Sequence, residues 1–436
     1  MHKSTPEQRG WYLYDWANSA FSVTVVTLFL GPYLTSLAKA GADASGRIHI
    51  LGLPIDPRSY WSYLVGLSVG AQVLILPGIG AIVDYGRRKR EVLAVTAYLG
   101  AGATAAMFFL RDGKYLLGGA LFLLANVSFG AAEAIYNSFL PEIAPPQDRD
   151  AVSSKGFGVG YIGGGVLLAL NLILFLRASR LGISDAMAVR ISLSSAGIWW
   201  AGFSIFTLAA LRNRGAAKVL PPGQSALRVA TSQLRNTARH IRQYPQTLTF
   251  LIAFLLYNDA IQTVLAVAAQ FGNDELKIPV SQLTFAILMA QFVGFLGAFV
   301  FQKLAEAASA KRAVVASLVI WTLTLVYIYQ FVYGVVQFFI ATAVVALVMG
   351  GSQALSRSLF AQLVPRSREA EYFSVYEISD KGTSWISPIL FGLALQLTGR
   401  YRVAILSLIL FFLAGLLVLL RVDVARGQRD VAAAER

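Results

Sequence analysis

Three carboxylates, Asp15, Glu133 and Asp259, fall inside long apolar stretches of this chain, and so does one guanidinium, Arg357. In water such groups need no explanation. At the centre of a bilayer a charge costs about 2.5–3.5 kcal/mol on insertion scales, so a chain keeps it there for a use or a partner. An acid in that setting can exchange a proton, and an arginine can hold the carboxylate of a solute. The neighbours fit such chemistry. Asp15, Asn18 and Ser19 recur at i, i+3 and i+4 and share one helix face. Glu133, Tyr136 and Asn137 repeat that spacing, with Asn126 earlier in the same stretch. Gln353 and Arg357 are four apart, and Asp259 is accompanied by Tyr257, Asn258 and Gln262. The residues expected to bind solute or coupling ion are therefore Asp15, Asn18, Asn126, Glu133, Tyr136, Asn137, Tyr257, Asp259, Gln262, Gln353 and Arg357. A structural role competes at Asp15, which lies only a few residues into its stretch and can pin a neighbouring helix.

Composition places these residues in a membrane. The chain has 436 residues, 56% of them hydrophobic and 14% charged, with mean hydropathy +0.61. A soluble domain carries about 25% charged residues, so this chain has too little polar surface to coat a soluble globule. Apolar runs near the roughly 20 residues that span a bilayer recur along it. Twelve are read, at approximately 10–38, 60–83, 91–110, 115–140, 154–177, 191–211, 247–270, 280–302, 312–333, 336–361, 373–397 and 402–421. The N-terminal MHKSTPEQRG is polar and leads into a span that looks retained rather than cleaved. There is no cysteine, and His2, His49 and His240 fall in tails or loops. No nucleophile–base pair, metal cluster or phosphate loop is visible, so neither an enzyme nor a cofactor is expected. Trp61, Trp199, Trp200 and Trp321 are expected as interfacial anchors.

Twelve spans put both termini on one side. About two thirds of the 37 Lys and Arg residues fall on that side, which the positive-inside rule makes cytoplasmic. The net charge of +14 is thus a topology signal, and no nucleic acid is expected as partner. Seven cations and no acid lie in the stretch 212–246. Its SALRVATSQLRNTARHIRQY can form an amphipathic helix, with Leu227, Leu234, Ala238 and Ile241 on one side, lying on the anionic inner leaflet. This linker divides the chain into a six-helix bundle over 1–211 and a second over 247–436, which includes a short tail.

The halves echo one another. LYDWANS (Leu13 to Ser19) resembles LYNDAIQT (Leu256 to Thr263), and SFLPEIAP (Ser138 to Pro145) resembles SLFAQLVP (Ser358 to Pro365). In matching order, these indicate parallel repeats about an axis along the membrane normal. The loop GAIVDYGRRKR (Gly80 to Arg90) resembles the signature between spans 2 and 3 of the major facilitator superfamily, although Gly86 follows Asp84 by two residues where three are usual. Asp84, Arg87 and Arg88 are expected to form a latch there, Asp84 capping the third span. Glu377, Asp380 and Lys381 begin span 11 and are expected either to pair with one another or to receive that loop. Gly156, Gly160, Gly164 and Gly165 approximate a glycine motif of antiporters and also suit close helix packing.

YDWANSAF, YNSFLPEIAPPQDRDAVSSKGFGVGYIGGG, FLLYNDAIQTV and SRSLFAQLVPRSREAEYFSVYEISDKGTSWISPILFG together resemble the vacuole-effluxer family within the major facilitators. Its eukaryotic members are autophagy-related vacuolar amino-acid exporters, and the short linker here is similar to the bacterial ones. The resemblance implies an all-α membrane protein of twelve transmembrane helices in two pseudo-symmetric six-helix bundles, with spans 1, 4, 7 and 10 lining a water-filled cavity. It implies a monomeric secondary transporter of a bacterial inner membrane. Such a transporter moves a small polar solute such as an amino acid by alternating access, outward and coupled to protons, with membrane lipids around it. Two other readings stay open at this point: a permease for cell-wall fragments, peptides or lipid-like metabolites, and a receptor or scaffold that binds without transport.

Overall fold

The computed structural model describes residues 4–85, 88–111, 113–145, 148–213, 232, 241–364, 376 and 384–434. The first helix, α1 (Pro6–Ala40), begins at a capping box. Thr5 Oγ1 accepts the Gln8 N–H, Gln8 Oε1 accepts the Thr5 N–H, and Pro6 takes the first helical position, where a missing N–H costs nothing. Its middle, Phe21–Phe29, widens to a π-helix. Five successive β-branched residues, Val23 to Thr27, crowd a regular α-turn there, and Thr27 Oγ1 donates 3.1 Å to the Ser22 carbonyl five residues back.

A hairpin follows. β1 (Ile48–Ile50) pairs antiparallel with β2 (Leu53–Ile55), placing Ile48 opposite Ile55. The turn residues Leu51 and Gly52 have φ of +50° and +81°, the two left-handed positions that a tight primed turn needs. The connection before it is organised by Asp43, whose Oδ1 accepts from the Ser45 N–H, the Ser45 hydroxyl and the Arg47 N–H. The Ser45 and Arg47 donors hold the Asp43 carboxyl below the usual carboxylate range. At the other end burial opposes the charge on Asp56, yet the hydrogen bonds and charge of Arg58 bring its carboxyl below that range.

The remaining helices are α2 (Pro57–Tyr85), α3 (Lys89–Phe109), α4 (Tyr115–Asn137), α5 (Arg149–Arg177), α6 (Asp185–Ala210), α7 (Pro245–Glu275), α8 (Val280–Ala307), α9 (Ala310–Phe331), α10 (Val335–Ala361), α11 (Ile386–Thr398), α12 (Tyr401–Leu420) and α13 (Val424–Ala434). Among the described residues, eleven helices are long and apolar enough to cross a membrane. α11 is the described part of the eleventh span, expected over 373–397. The described helices are those expected of an all-α membrane protein. α13 was not anticipated: Asp423 Oδ1 accepts the Arg426 N–H and starts a helix where the sequence reads as a tail.

Contacts divide the chain into two units. One comprises Met1–Thr231 with Ala268–Gln270 and Pro279–Thr284; the other comprises Ser232–Val267, Phe271–Ile278 and Phe285–Arg436. In the first, α1 packs on α5 and α6, while α4 packs on α2 and α3. In the second, α9 packs on α10 and α12. Three of the four tryptophans expected at the interface lie in these cores. Trp61, Trp200 and Trp321 are each 0% exposed, packed on Phe122, Phe21 and Phe412. Large rings fill the space between packed helices more effectively than they serve as anchors here. Trp199 is half-buried, stacks on Trp16 and donates to its carbonyl. The expected linker helix of 212–246 lies almost entirely outside the described residues.

Candidate functional site

In the first unit the polar face of α1 meets α4. Tyr136 O–H donates 2.8 Å to Asp15 Oδ2. The Tyr136 ring is held by Trp11, stacked at 4.4 Å and 15°, and by Tyr14 at 4.8 Å. Trp11 Nε1 donates to the Tyr136 carbonyl at 3.1 Å. Trp11 thus fixes both the ring and the backbone of the residue that touches the carboxylate. Glu133 lies one turn away from Tyr136 on α4 and is half-buried. From α5, Gly156 approaches so closely that a Cβ there would stand 2.5 Å from Asp15 Oδ2. Asn18 is buried and Asn137 half-buried.

Asn126 is placed differently. Its side-chain amide donates 2.7 Å to Ser68 Oγ, and its backbone carbonyl accepts from Gln72 Nε2 at 2.9 Å, tying α4 to α2. Ser68 and Gln72 were missed. A serine and a glutamine in an apolar helix carry no signal until the partner helix is known.

In the second unit, the Tyr257 hydroxyl on α7 and Ser356 Oγ on α10 are 2.6 Å apart. Ser356 donates its proton to the Ser352 carbonyl at 2.5 Å, so Tyr257 is the donor between them. Asp259 is 1% exposed; its Oδ2 accepts the Ser387 N–H at 2.9 Å, in the first turn of α11. This is the capping geometry of a carboxylate at a helix N-terminus, supplied from another helix. Among the described residues, the buried Asp259 Oδ1 and Ser387 Oγ atoms have no hydrogen-bond partner. Gln262 and Gln353 are half-buried, and Arg357 lies on an exposed face of α10.

The two acids are therefore not equivalent. Aligning Tyr14 with Tyr257 matches Asp15 to Asn258 and Trp16 to Asp259. One residue is about 100° of helix rotation. Asp15 accordingly faces α4, while Asp259 faces α11, as the Trp16 backbone faces Gly163 of α5. Other pairs do repeat: Tyr136 and Ser356 are related by the same offset of 220 residues that relates Ser138 to Ser358. So are the Ile143 and Leu363 carbonyls, which accept from Gln8 Nε2 on α1 and Thr247 Oγ1 on α7.

Of the expected latch, Arg88 is exposed at the start of α3 and its side chain makes no cap. Arg87, Glu377, Asp380 and Lys381, and the side chain of Asp84, lie outside the described residues. The neighbouring Lys89 does lock this end. Its ammonium pairs with Glu142, donates to the Ser138 carbonyl at 3.0 Å and lies over the Phe139 ring. Among the described residues no cluster of His, Cys, Asp and Glu could hold a metal.

Comparisons bear on this arrangement. The family profile described as "Vacuole effluxer Atg22 like" matches residues 3–149 and 144–432. The chain is 30% identical over 440 residues to the MFS-type transporter YxiO of Bacillus subtilis, covering 99% of each protein. It is 26% identical to autophagy-related protein 22-1 of Penicillium rubens, over 99% of this chain and 92% of that one. Among solved structures, the nucleoside transporter NupG superposes with a TM-score of 0.66 at 14% identity, over 97% of this chain and 98% of that one.

Proposed function

Because the chain belongs to the vacuole effluxer family and is a transporter of the major facilitator type, we propose that it exports a small polar solute, amino acids foremost, coupled to protons by alternating access. Asp15, Glu133 and Asp259 carry the coupling. Tyr136 and Tyr257 hold the polar faces of α1 and α7 against α4 and α10. Arg357 and Gln353 take the carboxylate end of the solute. Asp84, Arg87 and Arg88 with Glu377, Asp380 and Lys381 form the inward latch. The protein works as a monomer in a bacterial plasma membrane with both termini in the cytoplasm.

The observation that carries this reading is chemical. Asp15 and Asp259 are carboxylates inside apolar helices, and their described hydrogen-bond partners, the Tyr136 O–H and the Ser387 N–H, are neutral. A buried carboxylate whose described partners are neutral is suited to take up a proton in one state of a transport cycle and release it in another. The family's description as a vacuole effluxer supports efflux as the direction.

Proteoliposomes carrying a lumenal pH dye test it. Amino acids that raise the melting temperature of the purified protein are expected to drive a lumenal pH change with wild type. Asp259→Asn and Glu133→Gln are expected to abolish the pH change while solute-for-solute exchange continues. Proton movement like wild type in both variants at every pH removes the coupling assignment. Stabilisation and flux with another metabolite class, and none with amino acids, removes the substrate assignment.

A further inference from the structure

The hairpin between α1 and α2 presents its turn in an unusual way. Leu51 has φ +50° and is 100% exposed, and Leu53 is 66% exposed. A left-handed backbone favours Gly, Asn or Asp at the first position of such a turn, because a branched hydrocarbon side chain is crowded there. Full exposure of leucine to water is unfavourable as well. Both penalties fall on one residue with no return from the rest of the chain. The support beneath it is firm. Ile48 is buried, and Asp43 gathers three hydrogen bonds and lies 3.5 Å from His49 Nδ1. A strained residue on a well-built support points to a function outside the molecule.

We propose that the Ile48–Ile55 hairpin is a membrane-interface anchor, with Leu51 and Leu53 inserted among the phospholipid headgroups of the leaflet on its own side. The level fits. Tyr33 O–H donates to the Leu110 carbonyl, Gly41 packs on Tyr115, and Tyr60 O–H donates to the Tyr115 carbonyl. The base of the hairpin is therefore level with the ends of α3 and α4. There Phe109 and Leu116 continue the exposed apolar belt of the spans. Strands of three residues carry the tip about 10 Å from that base. Headgroups occupy about 5–8 Å beyond the hydrocarbon on each side, so the proposed anchor requires the hairpin to lean toward the membrane plane, which keeps its turn among them. A second copy is the poorer occupant. A stable protein interface buries about 1,600 Å² in total, far more than a two-residue turn and its flanks offer.

The chain has no cysteine, so single labels are direct to place. Leu51→Cys and, as control, Ala44→Cys are labelled with an environment-sensitive fluorophore and reconstituted in anionic phospholipid vesicles. The Leu51 label is expected to emit at shorter wavelength, lose emission with brominated lipid and resist iodide, while the Ala44 label does the reverse. Iodide quenching at Leu51 equal to that at Ala44 overturns the proposal. Shielding that depends on protein density, without lipid quenching, overturns it in favour of a second copy. Leu51→Asn suits the left-handed backbone and is expected to fold normally in detergent. In that variant a label at Leu53→Cys should lose its lipid quenching; unchanged quenching there also overturns the proposal. The outcome is independent of whether any solute is transported.

Discussion

Tyr136 connects the reading of the acids to something measurable. Its hydroxyl is the described donor to Asp15, and hydrogen bonds to charged groups contribute about 1.5–3 kcal/mol. Tyr136→Phe should therefore lower thermal stability in detergent by an amount in that range. The same substitution made on Asp15→Asn should cost less, because the two changes remove one interaction. Equal costs in the two backgrounds would mean that the hydroxyl does not act through Asp15. The polar content of these faces was legible from i, i+3 and i+4 spacing. Which donor meets which acid was not. Asp259 and Ser387 are 128 positions apart, and only the packing of α7 against α11 makes them partners.

Helices α1 and α5 meet backbone to backbone. A Cβ on Gly163 would lie 2.5 Å from the Trp16 carbonyl oxygen, and no flexible side chain stands between them to yield. Gly163→Ala should destabilise by about 1–3 kcal/mol, the usual cost of overpacking. Gly165→Ala, two residues on, meets nothing within 4 Å and should be neutral or stabilising, as helix propensity favours alanine. Melting temperatures of the two variants decide it. The glycine-rich sequence of this helix was visible beforehand; which glycines bear the contact was not. The end of α9 shows the same limit. Arg402 donates to the carbonyls of Ile328, Tyr329 and Val332, lies 4.0 Å from the Tyr333 ring and is 3.7 Å from Glu275. It satisfies carbonyls that a helix C-terminus leaves open. Arg402→Lys replaces a wide planar fork of five donors with a compact ammonium that does not span these carbonyls, and should lose about 2–3 kcal/mol of stability. In the sequence this residue reads only as one more loop cation.

For the whole molecule the first expectation to check is orientation. With Ala44→Cys, a membrane-impermeant maleimide should label intact cells. With Gln428→Cys on α13 it should label only after permeabilisation. The opposite pattern would invert the inward latch and the direction of export. The sequence by itself determined the class of solvent, the number of spans and the repeat, because each is a statement about local hydropathy, length and order. Apolar runs of membrane length read the same whatever packs against them. Tertiary structure alone decided that Asp15 belongs to α4 and Asp259 to α11, that Asn126 ties α4 to α2, and that three tryptophans are core rather than interface. Those outcomes depend on helix rotation and on neighbours far away in the chain. A slip of one residue turns a side chain from one neighbour to the next while leaving the hydropathy pattern unchanged.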